Sequence, residues 1–201
     1  MKLYYASGAC SMATHILLEW IGKPYELQKV GLHPKSPELV AANPFGAVPV
    51  LEDNGFTITQ NNAILHYLTE KFPEAKLMGD GSLKVKAKIN QYLGIINADL
   101  HPLFKPFFGS TAYLEDAAAI EKSKKNAATQ VRTKLELIDR SMSGVYLAGV
   151  RSIVDPYFFV MLNWCNSMQI QFDDLKNVSM FFESMKKDPA VFKVLKDEGL
   201  I

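Results

Sequence analysis

Cys10 and Ser11 stand side by side, just after Gly8-Ala9 and just before an apolar helical pattern. A thiol at the mouth of a helix has a depressed pKa, because the helix dipole favours the thiolate. There Cys10 would be a reactive thiol, and Ser11 could donate a hydrogen bond to a sulfur anion, its own or a ligand's. The opposite reading is a small buried hydrophobe that happens to be sulfur. Spacing alone does not choose between them. The run Cys10-Ser11-Met12-Ala13 has no second cysteine, so a self-contained dithiol redox site is excluded and a monothiol site is not.

Three further places carry polar chemistry. Val48-Pro49 sits inside the apolar run "AVPVL", where a proline cannot donate to a sheet ladder. The backbone N–H and C=O of Val48 could there pair with an extended peptide as one more strand would; the alternative is an ordinary proline on an edge strand. Gln60-Asn61-Asn62 precedes an apolar helix. A helix N-terminus offers free N–H groups and positive partial charge, which suits a carboxylate as well as simple capping. His101, in "NADLHPLF", is expected at a helix end made by Pro102. As a cation it would gain from the dipole, and it titrates near neutral pH. His15, His33 and His66 show no metal spacing, and no metal is expected. Cys165 lies among apolar residues of a helix and reads as core.

The elements that must position these groups fall into two parts. "KLYY" (2–5) reads as a strand, and residues 10–21 as a helix that Gly22 stops. "YELQKV" (25–30) reads as a strand, and "SPELVAAN" as a short helix with Pro37 at its first position. "AVPVLE" (47–52) and "GFTI" (55–58) are strands joined by Asp53-Asn54-Gly55, a strong hairpin signal. "NNAILHYLTEKF" is helical. The order predicts a mixed four-stranded sheet with helices on both faces and a right-handed parallel crossover at its start. Residues 1–75 make this α/β unit, 76–82 a linker, and 83–201 an all-helical bundle. In the bundle, helices are expected over 83–101 and around 115–142, 152–168, 173–187 and 189–197. Ser152-Ile153-Val154-Asp155 matches a capping box, with Asp reaching back in place of Glu.

Composition narrows the function. The chain has 201 residues, 22 basic and 21 acidic, for a net charge of +1. No long basic patch points to nucleic acid. No segment reaches the roughly 18 apolar residues that span a bilayer, and the N-terminus lacks a signal peptide's apolar stretch. Two cysteines make no stapled framework. A reducing cytoplasm is the expected location.

Taken together, the chain resembles the cytosolic glutathione transferases, most closely the bacterial beta class. "MKLYYASGACSMATHI" is similar to that class's opening, "NPFGAVPVLEDNGFTITQNNAILHYL" to the family's glutathione-binding run, and "YLAGVRSIVDPYFF" to a capping-box helix of its C-terminal domain. The blocks stand in the expected order and cover essentially the whole chain. The resemblance implies a thioredoxin-like N-terminal domain, a helical C-terminal domain and a homodimer. It implies that glutathione is the co-substrate. The Val48 backbone would bind the cysteinyl part, with Pro49 cis. Gln60 and Asn61 would hold the γ-glutamyl end, and Lys35 the glycine carboxylate. Cys10 would lie near the sulfur, and His101 would approach from the second domain. Two departures stand out. Gln60 replaces an acidic residue and cannot answer the γ-glutamyl ammonium with charge. Gly94 and Pro102 replace polar and basic residues around the histidine, so either glutathione would bind weakly or Asn62 or Asn97 would take over part of the recognition.

The implied activity is transfer of the glutathione thiol to a small apolar electrophile, in detoxification. Tyr5, Phe104, Phe107, Phe108, Tyr113 and Trp164 are candidates to line the electrophile pocket. The alternatives are a glutathione-dependent thiol–disulfide oxidoreductase acting through Cys10 and a transferase-like binding protein without turnover. Catalytic roles fall to Cys10, Ser11 and His101, with Cys10 expected as an accessible thiol of lowered pKa.

Overall fold

A computed structural model describes residues 1–201. The chain runs β1 (Lys2–Tyr5), α1 (Met12–Ile21), β2 (Glu26–Lys29), α2 (Pro37–Ala42), β3 (Val50–Asp53), β4 (Phe56–Thr59) and α3 (Asn61–Lys71). Five further α-helices follow: α4 (Leu83–Gly94), α5 (Ala117–Ser141), α6 (Val154–Ser167), α7 (Lys176–Lys186) and α8 (Pro189–Asp197). The strands lie in the order β2-β1-β3-β4. β1 pairs parallel with β2 and antiparallel with β3, and β3 pairs antiparallel with β4. This is the mixed four-stranded sheet that the residue pattern predicts.

Period-two alternation splits β1 between two faces. Leu3 and Tyr5 point into the main core with α1 and α3. Tyr4 points into a smaller cluster with Val30, Leu39, Val48 and Val50, which α2 covers through Leu39. The β3–β4 hairpin turns at Asn54 and Gly55, with φ of 50° and 85°. Two left-handed residues in succession are what a two-residue turn matched to the strand twist requires. The main core continues without a break from Leu3 through α6 to Leu195, and α1 packs on both α6 and α8. The sheet unit and the helical bundle therefore share one apolar interior.

The acidic residue at the start of α6 does reach back. The Ser152 N–H donates to Asp155 Oδ2 at 2.7 Å, and the Leu147 N–H donates to Oδ1 at 2.9 Å. The Ser152 hydroxyl also donates to this carboxylate, at 3.2 Å, rather than capping a helix N–H. Burial pushes Asp155 up to about 7 against these three donors.

The stretch before His101 departs from a plain helix end. After α4, residues Ile95–Leu100 form a π-helical turn, and His101–Phe108 continue as a 3-10 helix. The His101 N–H reaches back five residues to the Ile96 carbonyl. Pro102 has no N–H to continue the ladder, so the chain changes its winding instead of stopping. His101 consequently sits at a change of winding within a continuing helical run.

Candidate active site

Two adjoining cavities meet at Cys10, Ala47, Val48 and His101. The larger, of about 420 Å³, extends past Ser7 and Gly8 towards Leu32, Lys35, Phe108 and Trp164. The smaller, of about 230 Å³, extends towards Pro49, Gln60, Asn61, Asn97 and Tyr157. The larger lobe is mostly apolar; the smaller is mixed, with the amides of Asn43, Gln60, Asn61 and Asn97 and the Tyr157 hydroxyl set among apolar walls. The waist between them holds a thiol, an imidazole and the Val48 backbone, which lies just ahead of β3 because that strand begins at Val50 rather than at Ala47.

Cys10 is fixed by its backbone and its sulfur. Asn61 Nδ2 donates to the Cys10 carbonyl at 2.8 Å, and Thr14 Oγ1 donates to Asn61 Oδ1 at 2.9 Å. The thiol donates to the Val48 carbonyl at 3.2 Å. The Val48–Pro49 bond is cis. Burial pushes the thiol up to about 12, while the backbone N–H groups of Cys10 and Ser11 pull the other way. The expected lowering by the helix N-terminus is thus present but loses to desolvation.

Ser11 does not join the site. It is fully buried, and its hydroxyl accepts from the Ala6 N–H at 3.2 Å and donates to the Ala6 carbonyl at 3.4 Å. It closes the β1–α1 loop and lines neither cavity.

His101 lines both lobes. Burial, and then the charge of Lys105, hold its pKa down to about 4. The cationic role expected from a helix C-terminus is therefore overturned; the ring is neutral around pH 7. His101 Nδ1 lies 2.6 Å from the Tyr157 hydroxyl, which donates to Asn97 Oδ1 at 3.2 Å. Either atom can donate across the 2.6 Å contact: when the phenolic proton goes to Asn97, Nδ1 carries the ring proton and Nε2 is left as an acceptor.

Gln60 and Asn61 reach the smaller lobe by different means. Gln60 is exposed and has a φ of 73°, a strained conformation for a residue with a side chain. No side chain caps α3, whose first intrahelical bond is Ile64 N–H to the Gln60 carbonyl. The N–H groups at the head of α3 remain available to a carboxylate. Asn61 is buried and its amide is spent on Thr14 and Cys10, so its side chain positions the thiol loop. Lys35 lies in the larger lobe and donates to the Phe45 carbonyl at 3.1 Å. Its flexible stem lies against Gly46, whose φ of 62° is the left-handed conformation that glycine adopts without strain.

Of the six aromatic candidates, Phe108 and Trp164 line the larger lobe. Tyr5 and Phe104 are core, Phe107 packs against the core, and Tyr113 is 77% exposed. Trp164 stacks edge-on against His101 with centroids 4.9 Å apart, and its Nε1 donates to the Gly8 carbonyl at 2.7 Å. Cys165 is core, as expected.

Residue patterns missed two contributors. Tyr157 lies in the apolar run "DPYFF" and looks like packing; a single hydroxyl among phenylalanines was the one available signal. Glu198 lies in the polar tail "KDEGL" and looks solvated. It is buried, accepts from the Gly8 N–H at 2.8 Å, and receives the Ser7 hydroxyl on its carbonyl at 2.7 Å. The C-terminal tail thereby holds the loop that lines the larger lobe.

Comparison with known proteins identifies the family. The family model described as glutathione S-transferase, N-terminal domain, matches residues 1–70. The chain is 42% identical over 203 residues to glutathione S-transferase GST-4.5 of Xanthomonas campestris, covering 100% of both chains. It superposes on a glutathione S-transferase from Xylella fastidiosa with a TM-score of 0.95 and 42% identity, covering 100% of this chain and 99% of that one. A sphingomonad glutathione S-transferase complexed with glutathione aligns over 100% of both chains, with a TM-score of 0.87 and 31% identity. With its sheet, its helical half and its cleft all falling inside these alignments, the chain belongs to the glutathione S-transferase family.

Proposed function

We propose that the protein transfers the thiol of reduced glutathione to small apolar electrophiles, with the two lobes of the cleft dividing the substrates. The observation that carries this is the shared waist: Cys10, Val48 and His101 border a lobe that four amide side chains line on one side and a mostly apolar lobe on the other. An extended tripeptide pairs with the Val48 backbone as an added strand. Its γ-glutamyl carboxylate takes the N–H groups at the head of α3, beside Gln60 and Asn61. Lys35 answers the glycine carboxylate. The cysteinyl sulfur then sits at the waist, facing the lobe walled by Leu32, Phe108 and Trp164. Residues 1–75 supply most of the glutathione contacts, and residues 83–201 supply His101 and the aromatic wall.

A free thiol is mostly protonated at neutral pH, and lowering its pKa by about two units takes roughly 2.7 kcal/mol. Neutral His101 accepts a hydrogen bond from the thiol and aligns it; with its own pKa held down to about 4 it does not keep the proton, which passes to solvent as the thiolate forms. The thiolate lone pair forms the C–S bond, and the leaving group departs with the electron pair of the bond it breaks. Cys10, protonated at neutral pH, serves as a hydrogen-bond donor and wall rather than as the nucleophile. The raised pKa of Cys10 also weighs against disulfide exchange as the main activity, because the thiolate is the attacking form.

The protein is proposed to act as a homodimer. Phe45, 82% exposed beside the Gly46–Val48 segment, and Phe56, 49% exposed on β4, leave apolar surface for a second copy. Light scattering should give twice the chain mass; a value near 22.5 kDa contradicts it. For the activity, conjugation of 1-chloro-2,4-dinitrobenzene and reduction of a glutathione mixed disulfide are measured side by side. Conjugation should dominate. Disulfide reduction without conjugation would replace the proposal with the thiol–disulfide exchanger, and neither activity with the non-catalytic binder.

A further inference from the structure

A second cluster of polar groups lies between α1 and α8 and borders neither cavity. His15 and Glu19 are one turn apart on α1, so their side chains share a face. Asp197 closes α8, which packs on α1. A ring nitrogen of His15 and one carboxylate oxygen each of Glu19 and Asp197 lie within 4.8 Å of one another.

The histidine is the telling member. Its side chain is fully buried, with Nδ1 at 3.0 Å from Glu198 Oε1. Its Nε2 is buried and has no hydrogen-bond partner. A buried polar atom left unmatched costs about 1–3 kcal/mol and asks for an explanation. A carboxylate on one imidazole nitrogen is also how proteins orient a histidine whose other nitrogen binds a metal.

We propose that His15, Glu19 and Asp197 form a binding site for a divalent transition-metal ion of the zinc or cobalt kind, with His15 ligating through Nε2. One imidazole and two carboxylates are a nitrogen–oxygen set suited to such ions. Metal–ligand bonds of about 2.1 Å place tetrahedral donors about 3.4 Å apart, so the present spacing closes with small rotations of Glu19 and Asp197. The Tyr25 hydroxyl already donates to Glu19 and steadies it.

The position attracts cations as it stands. Lys193 Nζ lies 3.0 Å from Glu19 Oε1 and 2.5 Å from Asp197 Oδ2. Its side chain is 53% exposed, and its flexible stem lets it swing out as an ion enters. Asp197 adjoins Glu198, which holds the Ser7–Gly8 loop of the cleft. An ion bridging α1 and α8 would therefore stiffen the wall of the larger lobe.

The test is a titration of the full-length protein with Co²⁺, followed by calorimetry and by visible absorption, with far-UV circular dichroism to check folding. A single ion should bind without the near-ultraviolet band of a cobalt–thiolate bond. Glu19→Gln and Asp197→Asn should each weaken it by about tenfold or more. Lys193→Met, which removes the competing ammonium from a half-exposed position, should tighten it several-fold and keeps the test open if either other variant fails to fold. Three results overturn the proposal: no binding below millimolar Co²⁺, a thiolate band, or an affinity that Lys193→Met leaves unchanged or lowers.

Discussion

The Tyr157 hydroxyl lies 2.6 Å from His101 Nδ1 and joins a residue of α6 to the one at which the helical winding changes. The same hydroxyl lies 3.2 Å from Asn97 Oδ1, so Tyr157 anchors the imidazole ring to α6 and to the π-helical turn at once. Tyr157 itself touches the cleft, but its main effect on the reaction passes through His101. It is a positioning residue.

Tyr157→Phe should lower kcat for conjugation about fivefold to tenfold, the value of one hydrogen bond. KM for glutathione should change little, because the γ-glutamyl and glycine contacts lie elsewhere. Steady-state kinetics at varied glutathione separates the two terms. A large rise in KM with unchanged kcat would show instead that Tyr157 holds the peptide.

His101 makes stability depend on acid. Its folded-state pKa, about 4, lies below the ordinary histidine value of 6.5. Between those values the unfolded chain takes up a proton that the folded chain refuses. Stability from this group is thus fully present above about 6.5 and is lost as pH falls to 4, by on the order of 3 kcal/mol. His101→Gln should flatten the decline of melting temperature over that window. An unchanged decline would contradict the assignment.

Gln60 stands at the mouth of the polar lobe without a charge. Gln60→Glu should lower KM for glutathione several-fold at low ionic strength, since a carboxylate there faces the γ-glutamyl ammonium. The gain should shrink with added salt. Equal KM values for the two proteins would place the ammonium elsewhere.

Glu198 ties the tail to the cleft. Glu198→Ala strands the Gly8 N–H and His15 Nδ1 in a buried setting and should cost about 3 kcal/mol of unfolding free energy. Urea denaturation measures it. A loss under about 0.5 kcal/mol would mean that water replaces the carboxylate.

The layout was legible because local rules and global fold agree. Alternation in "KLYY", the Asn54-Gly55 turn and the Ser152/Asp155 pair each reappear as hydrogen bonds or burial. What was hidden depends on contacts between distant residues. Nothing near Cys10 foretells desolvation strong enough to outweigh a helix N-terminus. Nothing near Ser11 tells that its hydroxyl turns to Ala6. Pro102 announces a disturbance, but whether the chain stops or rewinds through a π turn is decided by packing. That His15 lies beside Asp197 could not be read locally either, because the two come from opposite ends of the chain.

The most direct test of glutathione as the nucleophile is the conjugation rate of Cys10→Ala, together with iodoacetamide alkylation of the unaltered protein as a function of pH. The structure predicts that Cys10→Ala keeps conjugation within about tenfold of the unaltered protein, because glutathione brings its own thiol. It also predicts that Cys10 alkylates with a midpoint well above the free-thiol value of about 8.5. Loss of conjugation to the uncatalysed rate, with a midpoint near or below neutrality, would contradict both and make Cys10 the nucleophile.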